Sequence, residues 1–215
     1  MNERKLWYIA DPMCSWCWGF SPVIEAIQRE YGDRLEIELL LGGLRPGTKH
    51  PMPQAQREQI LHHWHAVQQR TGQPFRFEGA MPEGFIYDTE PASRGVITVS
   101  LINRPAIFAF FRIVQSAFYV EQQDVTNPMV LSRLAAEVGI DTQQFEQTFE
   151  SDTAKRLTLE HFRKARQLGV QGFPSLIGQS WAGYRLLSAG YCSLDELLPK
   201  LDAWLGQLDN LQASS

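Results

Sequence analysis

Cysteine is scarce in this sequence, with 3 Cys among 215 residues. That number excludes the small secreted scaffolds in which several disulfides replace a hydrophobic core. A core is available instead, because 44% of the residues are hydrophobic, an ordinary fraction for a globular domain. In the cytosol, two neighbouring cysteines are more often catalytic or metal-binding than a structural disulfide.

Long hydrophobic runs are also lacking. Asp11-Pro12 ends the apolar run that follows Lys5, which is too short for the core of a signal peptide, and no other run is long enough to span a bilayer. The net charge of -4 gives no electrostatic reason to expect nucleic acid or an anionic membrane as a partner. We therefore expect a cytoplasmic protein that binds neither, and the sequence leaves its oligomeric state open.

The order of apolar patterns predicts strands near both ends of the chain and helices between them. Residues 5–10 and 35–41 have the composition of strands, and the helical pattern between them completes a βαβ unit. A block of helical patterns follows. The pattern after Pro174 then indicates an antiparallel hairpin and a last helix. The two ends together predict a small mixed α/β sheet, βαβ…ββα, with helices on its faces.

Cys14-Ser15-Trp16-Cys17 carries the chemistry of the sequence, between the first strand and the first helix. Two sulfurs at this spacing can close into a disulfide within one helical turn. The free N–H groups and the positive end of the helix dipole favour the thiolate of Cys14, which makes it a good nucleophile and leaving group. Cys17 lies inside the first turn, where it is better placed to attack a mixed disulfide. We predict that Cys14 attacks the substrate and that Cys17 then resolves the mixed disulfide.

The alternative interpretation of this pair is half of a metal site or two inert core thiols. A closed zinc site needs four ligands, and the other candidates are Cys192 and 5 His, none at a spacing that supplies a second pair. Cys192 itself is most simply a small buried hydrophobe. His62, His63 and His65 crowd one helix turn and indicate a solvated surface, since ligands on one face would be spaced at i and i+4. We therefore assign no metal-binding residue.

A second feature is Gly172-Phe173-Pro174-Ser175, at the entrance to the hairpin. Pro174 could simply begin the strand, since it has no N–H to donate to a ladder. From the sequence alone, a cis bond between Phe173 and Pro174 is the minority expectation.

Together these elements resemble the thioredoxin superfamily, in its DsbA-like branch. The matching residues are Cys14-Ser15-Trp16-Cys17 between strand and helix, and Gly169-Val170-Gln171-Gly172-Phe173-Pro174 before the hairpin. The longer segment Asp11-Pro12-Met13-Cys14-Ser15-Trp16-Cys17-Trp18-Gly19-Phe20 is similar to cytosolic predicted protein-disulfide isomerases, which are related to 2-hydroxychromene-2-carboxylate isomerases. The resemblance implies a thioredoxin-like fold with an inserted all-helical domain. We assign residues 1–42 and 166–215 to the thioredoxin-like domain and 43–165 to the insertion.

The resemblance also implies site residues beyond the cysteines. The Phe173-Pro174 bond is expected to be cis and packed against Cys14, with the backbone of Phe173 offered to the substrate as a strand edge would be. We expect Ser15, Trp16, Phe173 and Pro174 to bind substrate.

The sequence departs from the family pattern at two places. Many relatives have Pro or His inside the Cys pair, whereas Ser15 and Trp16 bring no imidazolium to the thiolate. Many thioredoxin-like proteins also hold a buried acid six residues before the first cysteine, and Tyr8 stands there in this chain.

From these residues we expect a thiol–disulfide oxidoreductase of the protein-disulfide isomerase type. Its substrate would be a thiol or disulfide, protein or small molecule. It would need no cofactor beyond its own redox-active disulfide, although glutathione could serve as a co-substrate. Two alternatives stay open: a glutathione-dependent isomerase or transferase on the same fold, in which Cys17 is dispensable, and a non-enzymatic binding module with a structural metal at the Cys pair.

Overall fold

A computed structural model of the protein describes residues 4–32 and 34–213. Its strands are β1 (Lys5–Ala10), β2 (Glu36–Leu41), β3 (Ser175–Ser180) and β4 (Gly183–Ala189). Its helices are α1 (Ser15–Tyr31), α2 (Gln54–Thr71), α3 (Glu90–Ile102), α4 (Ile107–Tyr119), α5 (Pro128–Ala136), α6 (Thr142–Glu150), α7 (Asp152–Gln167) and α8 (Leu194–Ala213). In the part of the chain that is described, no helix is long and apolar enough to cross a membrane.

The four strands form one mixed sheet in the order β2-β1-β3-β4. Strand β1 is parallel to β2 and antiparallel to β3, and β3 is antiparallel to β4. The predicted βαβ…ββα order and the mixed α/β fold are therefore confirmed. Ile9 pairs with Ser175, so the chain leaving β1 toward Cys14 lies beside the chain entering β3 from Pro174. The sheet register thus brings together two segments that are distant in the sequence.

Helices α1 and α8 pack on one face of the sheet. The apolar stripe of α1, with Phe20 and Ile27 fully buried, shares a core with Leu6 and Tyr8 of β1. On α8, Trp204 lies against Gly178 of β3, where a Cβ would stand 2.6 Å from the indole ring. Burial of one such large side chain contributes about 1.5–3 kcal/mol, so the packing of α1 and α8 on this face stabilises the sheet.

Helix α7 covers the opposite face. Ala165 packs in a separate cluster with Ile9, Leu40 and Ile177, one residue from each of β1, β2 and β3. The last helix of the inserted segment is thus part of the core of the sheet. The predicted boundary between residues 165 and 166 falls inside α7, and the division into two domains stays a prediction.

Helix α2 lies close against the first turns of α1. The contact needs Gly19, because a Cβ there would stand 2.8 Å from Cγ1 of Val67 and 2.9 Å from Cγ2 of Thr71. The buried Trp64 anchors α2 to the helical block through its ring contacts with Phe118 and Tyr119. These contacts bring the helical block beside the segment that holds Cys14.

Candidate active site

Cys14 is the N-cap residue of α1. Its N–H donates to the carbonyl of Asp11 at 3.1 Å, and its carbonyl accepts from the N–H of Trp18 at 3.0 Å. The first turn of the helix contains no acidic residue, so nothing there opposes the helix dipole. Free N–H groups at a helix start favour a negative charge, which suits a thiolate at this position.

Phe173 approaches Cys14 from the other side of the site. The Phe173-Pro174 peptide bond is cis, and the carbonyl oxygen of Phe173 lies 3.7 Å from Sγ of Cys14. The carbonyl of Pro174 accepts from the N–H of Gly190 at 2.8 Å, which ties this loop to the end of β4. The structure therefore places two predicted site segments within contact distance, although 159 residues separate them in the sequence.

Cys17 is the more deeply buried cysteine of the pair. It is fully buried, while Cys14 retains 6% of its surface, and both are free thiols. Burial first, and then a hydrogen bond with the side chain of Cys14, raise the pKa of Cys17 well above its ordinary value. The thiol form of Cys17 is therefore favoured over the thiolate. This asymmetry suits a nucleophile at Cys14 and a second, resolving thiol at Cys17.

Two buried polar groups surround the thiols. Tyr8, which stands where an acid is common among relatives, directs its hydroxyl to the carbonyl of Cys17 at 3.5 Å. Asp11 is fully buried; its carboxylate accepts from the N–H of Met13 at 2.9 Å and of Leu44 at 2.7 Å. Burial raises the pKa of Asp11 to about 6, although these N–H donors act in the opposite direction. Asp11 is not recognisable as a site residue from the sequence, because Asp-Pro after a strand indicates a turn and gives no sign of burial.

A cavity of about 670 Å³ opens beside Cys14. Of the predicted substrate-binding residues, Ser15, Trp16 and Phe173 line this cavity together with Cys14. Trp16 is half-buried and packs on Tyr191 with 5.7 Å between ring centroids.

The cavity also has walls that sequence analysis did not assign to the site. Tyr87 lines it, and its hydroxyl donates to the carbonyl of Met13, just before Cys14. His63 lines it as well, although His62, His63 and His65 are all exposed to solvent, as predicted. In the sequence, Tyr87 stands in an aromatic segment of irregular pattern. Such a segment can equally well belong to the hydrophobic core, so it does not identify Tyr87 as a site residue.

The third cysteine lies outside this cavity. Cys192 is buried, and its sulfur is 3.2 Å from Oγ of Ser188. Over residues 4–32 and 34–213 there is no group of three or more His, Cys, Asp or Glu residues arranged to hold a metal ion.

Two proteins of known structure are similar to this chain over nearly its whole length. The crystal structure of a "putative protein disulfide isomerase" from Nitrosomonas europaea is 50% identical, with a TM-score of 0.90 over 95% of this chain and 98% of that one. The cytosolic disulfide reductase DsbM from Pseudomonas aeruginosa, solved with GSH, is 25% identical, with a TM-score of 0.75 over 94% of this chain and 98% of that one.

Among curated sequences, the ClpXP adapter protein SpxH of Halalkalibacterium halodurans is 22% identical over 178 residues, which are 80% of this chain. The chain spans 58% of the length of that relative. The DSBA-like thioredoxin domain matches residues 7–197.

These similarities support a general thiol–disulfide oxidoreductase role. The match covers most of the chain, including the segments that meet at Cys14. The chain belongs to the family of DSBA-like thioredoxin domains.

Proposed function

We propose that the protein is a thiol–disulfide oxidoreductase that reduces or isomerises disulfides in the cytosol through Cys14 and Cys17. The observation that carries the proposal is the approach of the Phe173 carbonyl to within 3.7 Å of Sγ of Cys14, at the start of a helix. The Phe173 carbonyl beside Cys14 can accept a hydrogen bond from a peptide substrate.

The proposed reaction has two exchange steps. The Cys14 thiolate attacks one sulfur of the substrate disulfide, a Cys14–substrate disulfide forms, and the other substrate sulfur leaves as a thiolate. Cys17 then loses its proton and attacks the Cys14 sulfur, which releases the second substrate thiol and leaves a Cys14–Cys17 disulfide. Two electrons pass from the protein to the substrate, so an external thiol must reduce the protein again. Burial of Cys17, which keeps it protonated, supports this order of events.

Single-cysteine variants test the proposal. Cys14→Ser should lose disulfide reduction, because the nucleophile is removed. Cys17→Ser should accumulate a mixed disulfide with the substrate, visible by intact-protein mass spectrometry. Cys192→Ser is the matched control, since its sulfur lies outside the cavity beside Cys14, and it should reduce disulfides at the wild-type rate.

A second candidate is a glutathione-dependent isomerase or transferase. The cavity of about 670 Å³ beside Cys14 favours it, as does the DsbM relative that was solved with GSH. In that reaction the thiol of bound glutathione does the chemistry. Full turnover of an electrophilic substrate by Cys17→Ser with glutathione would support this candidate and contradict the dithiol mechanism.

The remaining alternative is a non-enzymatic binding module with a structural metal at the Cys pair. Its test is the zinc content of the purified protein: about one zinc per chain, lost in Cys14→Ser, would identify a metal-binding module. Mixed-disulfide formation by Cys17→Ser would instead support the oxidoreductase.

A further inference from the structure

The hydroxyl of Tyr8 lies beside Cys17 in the interior of the site. Tyr8 and Cys17 are both fully buried, and the hydroxyl approaches the carbonyl of Cys17 at 3.5 Å. A well-formed hydrogen bond between a hydroxyl and an oxygen acceptor is about 2.7–2.8 Å long, so this one is weak. A weak bond compensates poorly for the water that a buried hydroxyl has lost. Packing of the core alone would therefore favour Phe over Tyr at residue 8.

The ring of Tyr8 is fixed in this position. Its centroid lies 5.7 Å from that of Phe20 on α1 and 6.1 Å from that of Phe111 on α4, and its backbone pairs with both neighbouring strands of the sheet. The hydroxyl hydrogen can still turn about the bond between the ring and the oxygen. The donor can thus change from the carbonyl of Cys17 to another acceptor nearby without any movement of the backbone.

The sulfur of Cys17 is such an acceptor. Burial raises the pKa of Tyr8 first, followed by the charges of the Cys17 and Cys14 thiolates and by a hydrogen bond with the side chain of Cys17. Because its pKa is raised, the hydroxyl keeps its proton, and Tyr8 acts as a donor and not as a base. Hydrogen bonds to a charged group are stronger than those between neutral groups. The bond from Tyr8 to the sulfur is therefore strongest when Cys17 is a thiolate.

The first exchange step removes two of the causes that hold the proton on Cys17. After burial, a hydrogen bond with the side chain of Cys14 and the charge of Cys14 raise the pKa of Cys17, and both end once Cys14 is bound in a mixed disulfide. Burial and the charge of Asp11 remain, and a backbone hydrogen bond from Asp11 acts in the opposite direction. A further donor at the sulfur lowers the barrier to the attack of Cys17 on the mixed disulfide.

We propose that the Tyr8 hydroxyl stabilises the Cys17 thiolate during the second exchange step, in which Cys17 attacks the mixed disulfide at Cys14. The inference rests on the proposed function, because it concerns one step of that reaction. The S–H bond of Cys17 breaks, its sulfur forms a bond with the Cys14 sulfur, and the bond between Cys14 and the substrate sulfur breaks. The Cys17 sulfur is oxidised, the substrate sulfur is reduced, and the proton of Cys17 ends on the leaving substrate thiolate. Tyr8 keeps its own proton throughout.

The test is the reaction of the reduced protein with excess 4,4′-dithiodipyridine, followed by stopped-flow absorbance. Attack by Cys14 releases a first thiopyridone at a rate proportional to the concentration of the probe. Attack by Cys17 on the mixed disulfide releases a second thiopyridone at a rate independent of that concentration. Every protein compared carries Cys192→Ser, so that the third thiol releases nothing.

Tyr8→Phe removes the hydroxyl and keeps the ring. The second phase should slow by about tenfold to a hundredfold, the range of one hydrogen bond to a charged group, while the first phase keeps its wild-type rate. The rise of the second phase with pH should also move upward by about one to two pH units.

The displacement is measured above about pH 7, where other groups whose charges act on Cys17 do not titrate. The pKa of Asp11 is about 6, so its carboxylate is ionised there in both proteins. Burial raises the pKa of Tyr119 well above its ordinary value, so Tyr119 stays protonated. Cys14 carries no charge in the mixed disulfide. A displacement therefore reports the bond between Tyr8 and Cys17.

Tyr31→Phe is the matched control. Tyr31 is also a buried tyrosine, and its hydroxyl donates to Oδ1 of Asp202 at 2.8 Å. It is the last residue of α1, roughly 20 Å along the helix from Cys17. The control loses a hydroxyl and a well-formed hydrogen bond, and both phases should keep their wild-type rates.

The outcomes separate this inference from the proposed function. If Tyr8→Phe keeps the wild-type rate of the second phase, the inference is wrong and the oxidoreductase stands. Equal slowing of the two phases in Tyr8→Phe, or slowing of the second phase in Tyr31→Phe, would also overturn it, since a general loss of structure would then suffice. If wild type releases no second thiopyridone, Cys17 does not resolve mixed disulfides, and the proposed function fails together with the inference.

Discussion

The ring of Phe173 lies directly on the backbone of Gly42. An added Cβ at position 42 would overlap Cε1 and Cζ of that ring. Gly42 follows β2, and its N–H donates to the carbonyl of Ala10 at 2.8 Å, so it cannot move away without breaking the edge of the sheet. The position of Phe173, and with it the carbonyl beside Cys14, therefore depends on the absence of a side chain at residue 42.

Gly42→Ala should accordingly slow disulfide reduction. The methyl group must displace the Phe173 ring, and overpacking of this kind costs about 1–3 kcal/mol, so we expect a lower melting temperature together with a several-fold loss of rate. Gly172→Ala is the control, because a Cβ at residue 172 meets nothing within 4 Å although it is next to Phe173. Stopped-flow reduction of a model disulfide measures both variants. Equal rates for the two would show that the Gly42 contact does not position Phe173.

Local sequence patterns predicted the parts of the site that depend on neighbouring residues. A strand, a turn and a helix that starts at a cysteine are all encoded within residues 5–31, and the structure has them as β1 and α1. The approach of Phe173 was implied by family resemblance alone. No local pattern relates two residues that a sheet register brings together.

The walls of the cavity could not be predicted in the same way. The sequence indicates that α2 is a helix, but which of its faces turns toward Cys14 depends on its contact with Gly19 of α1. Arg45, which also lines the cavity, follows Gly42-Gly43-Leu44, and such a segment predicts only a loop. Asp11 looks like a turn residue until the fold buries it. In each case the missing information is tertiary packing.

His161 is expected to make stability depend on pH. Nδ1 of His161, on α7, accepts a hydrogen bond from the N–H of Leu41 at 3.3 Å, and burial lowers the pKa of His161 from 6.5 to about 4. The unfolded chain therefore binds a proton at higher pH than the native protein does. The stabilisation is complete above about pH 6.5 and is lost as the pH falls toward 4, by roughly 3 kcal/mol at about 1.4 kcal/mol for each pH unit.

His161→Gln should remove that dependence. A glutamine can accept the same hydrogen bond through its carbonyl oxygen, but it does not titrate. Urea unfolding at a series of pH values between 4 and 7 should show that the free energy of unfolding of the variant, relative to that of wild type, rises on acidification. Parallel curves for the two proteins would contradict the role assigned to His161.

Asp11 should act in the opposite direction over the same range. Its pKa is raised from 3.8 to about 6 by burial, so the native protein binds a proton at higher pH than the unfolded chain does. This contribution is fully present below about pH 4 and is lost as the pH rises to 6, again by roughly 3 kcal/mol. In wild type the contributions of Asp11 and His161 therefore largely cancel between pH 4 and 6.

Asp11→Asn should expose the dependence that this cancellation hides. The amide does not titrate, so nothing at residue 11 offsets the contribution of His161 any longer, and the free energy of unfolding should fall more steeply on acidification than in wild type. The amide also has a single acceptor oxygen for the N–H groups of Met13 and Leu44, which lowers stability at every pH, so the comparison must use the slope and not the absolute value. The double variant Asp11→Asn with His161→Gln should return to the wild-type slope between pH 4 and 6, since it removes both of the opposing contributions. A wild-type slope in Asp11→Asn would mean that Asp11 ionises in the native protein as it does in the unfolded chain.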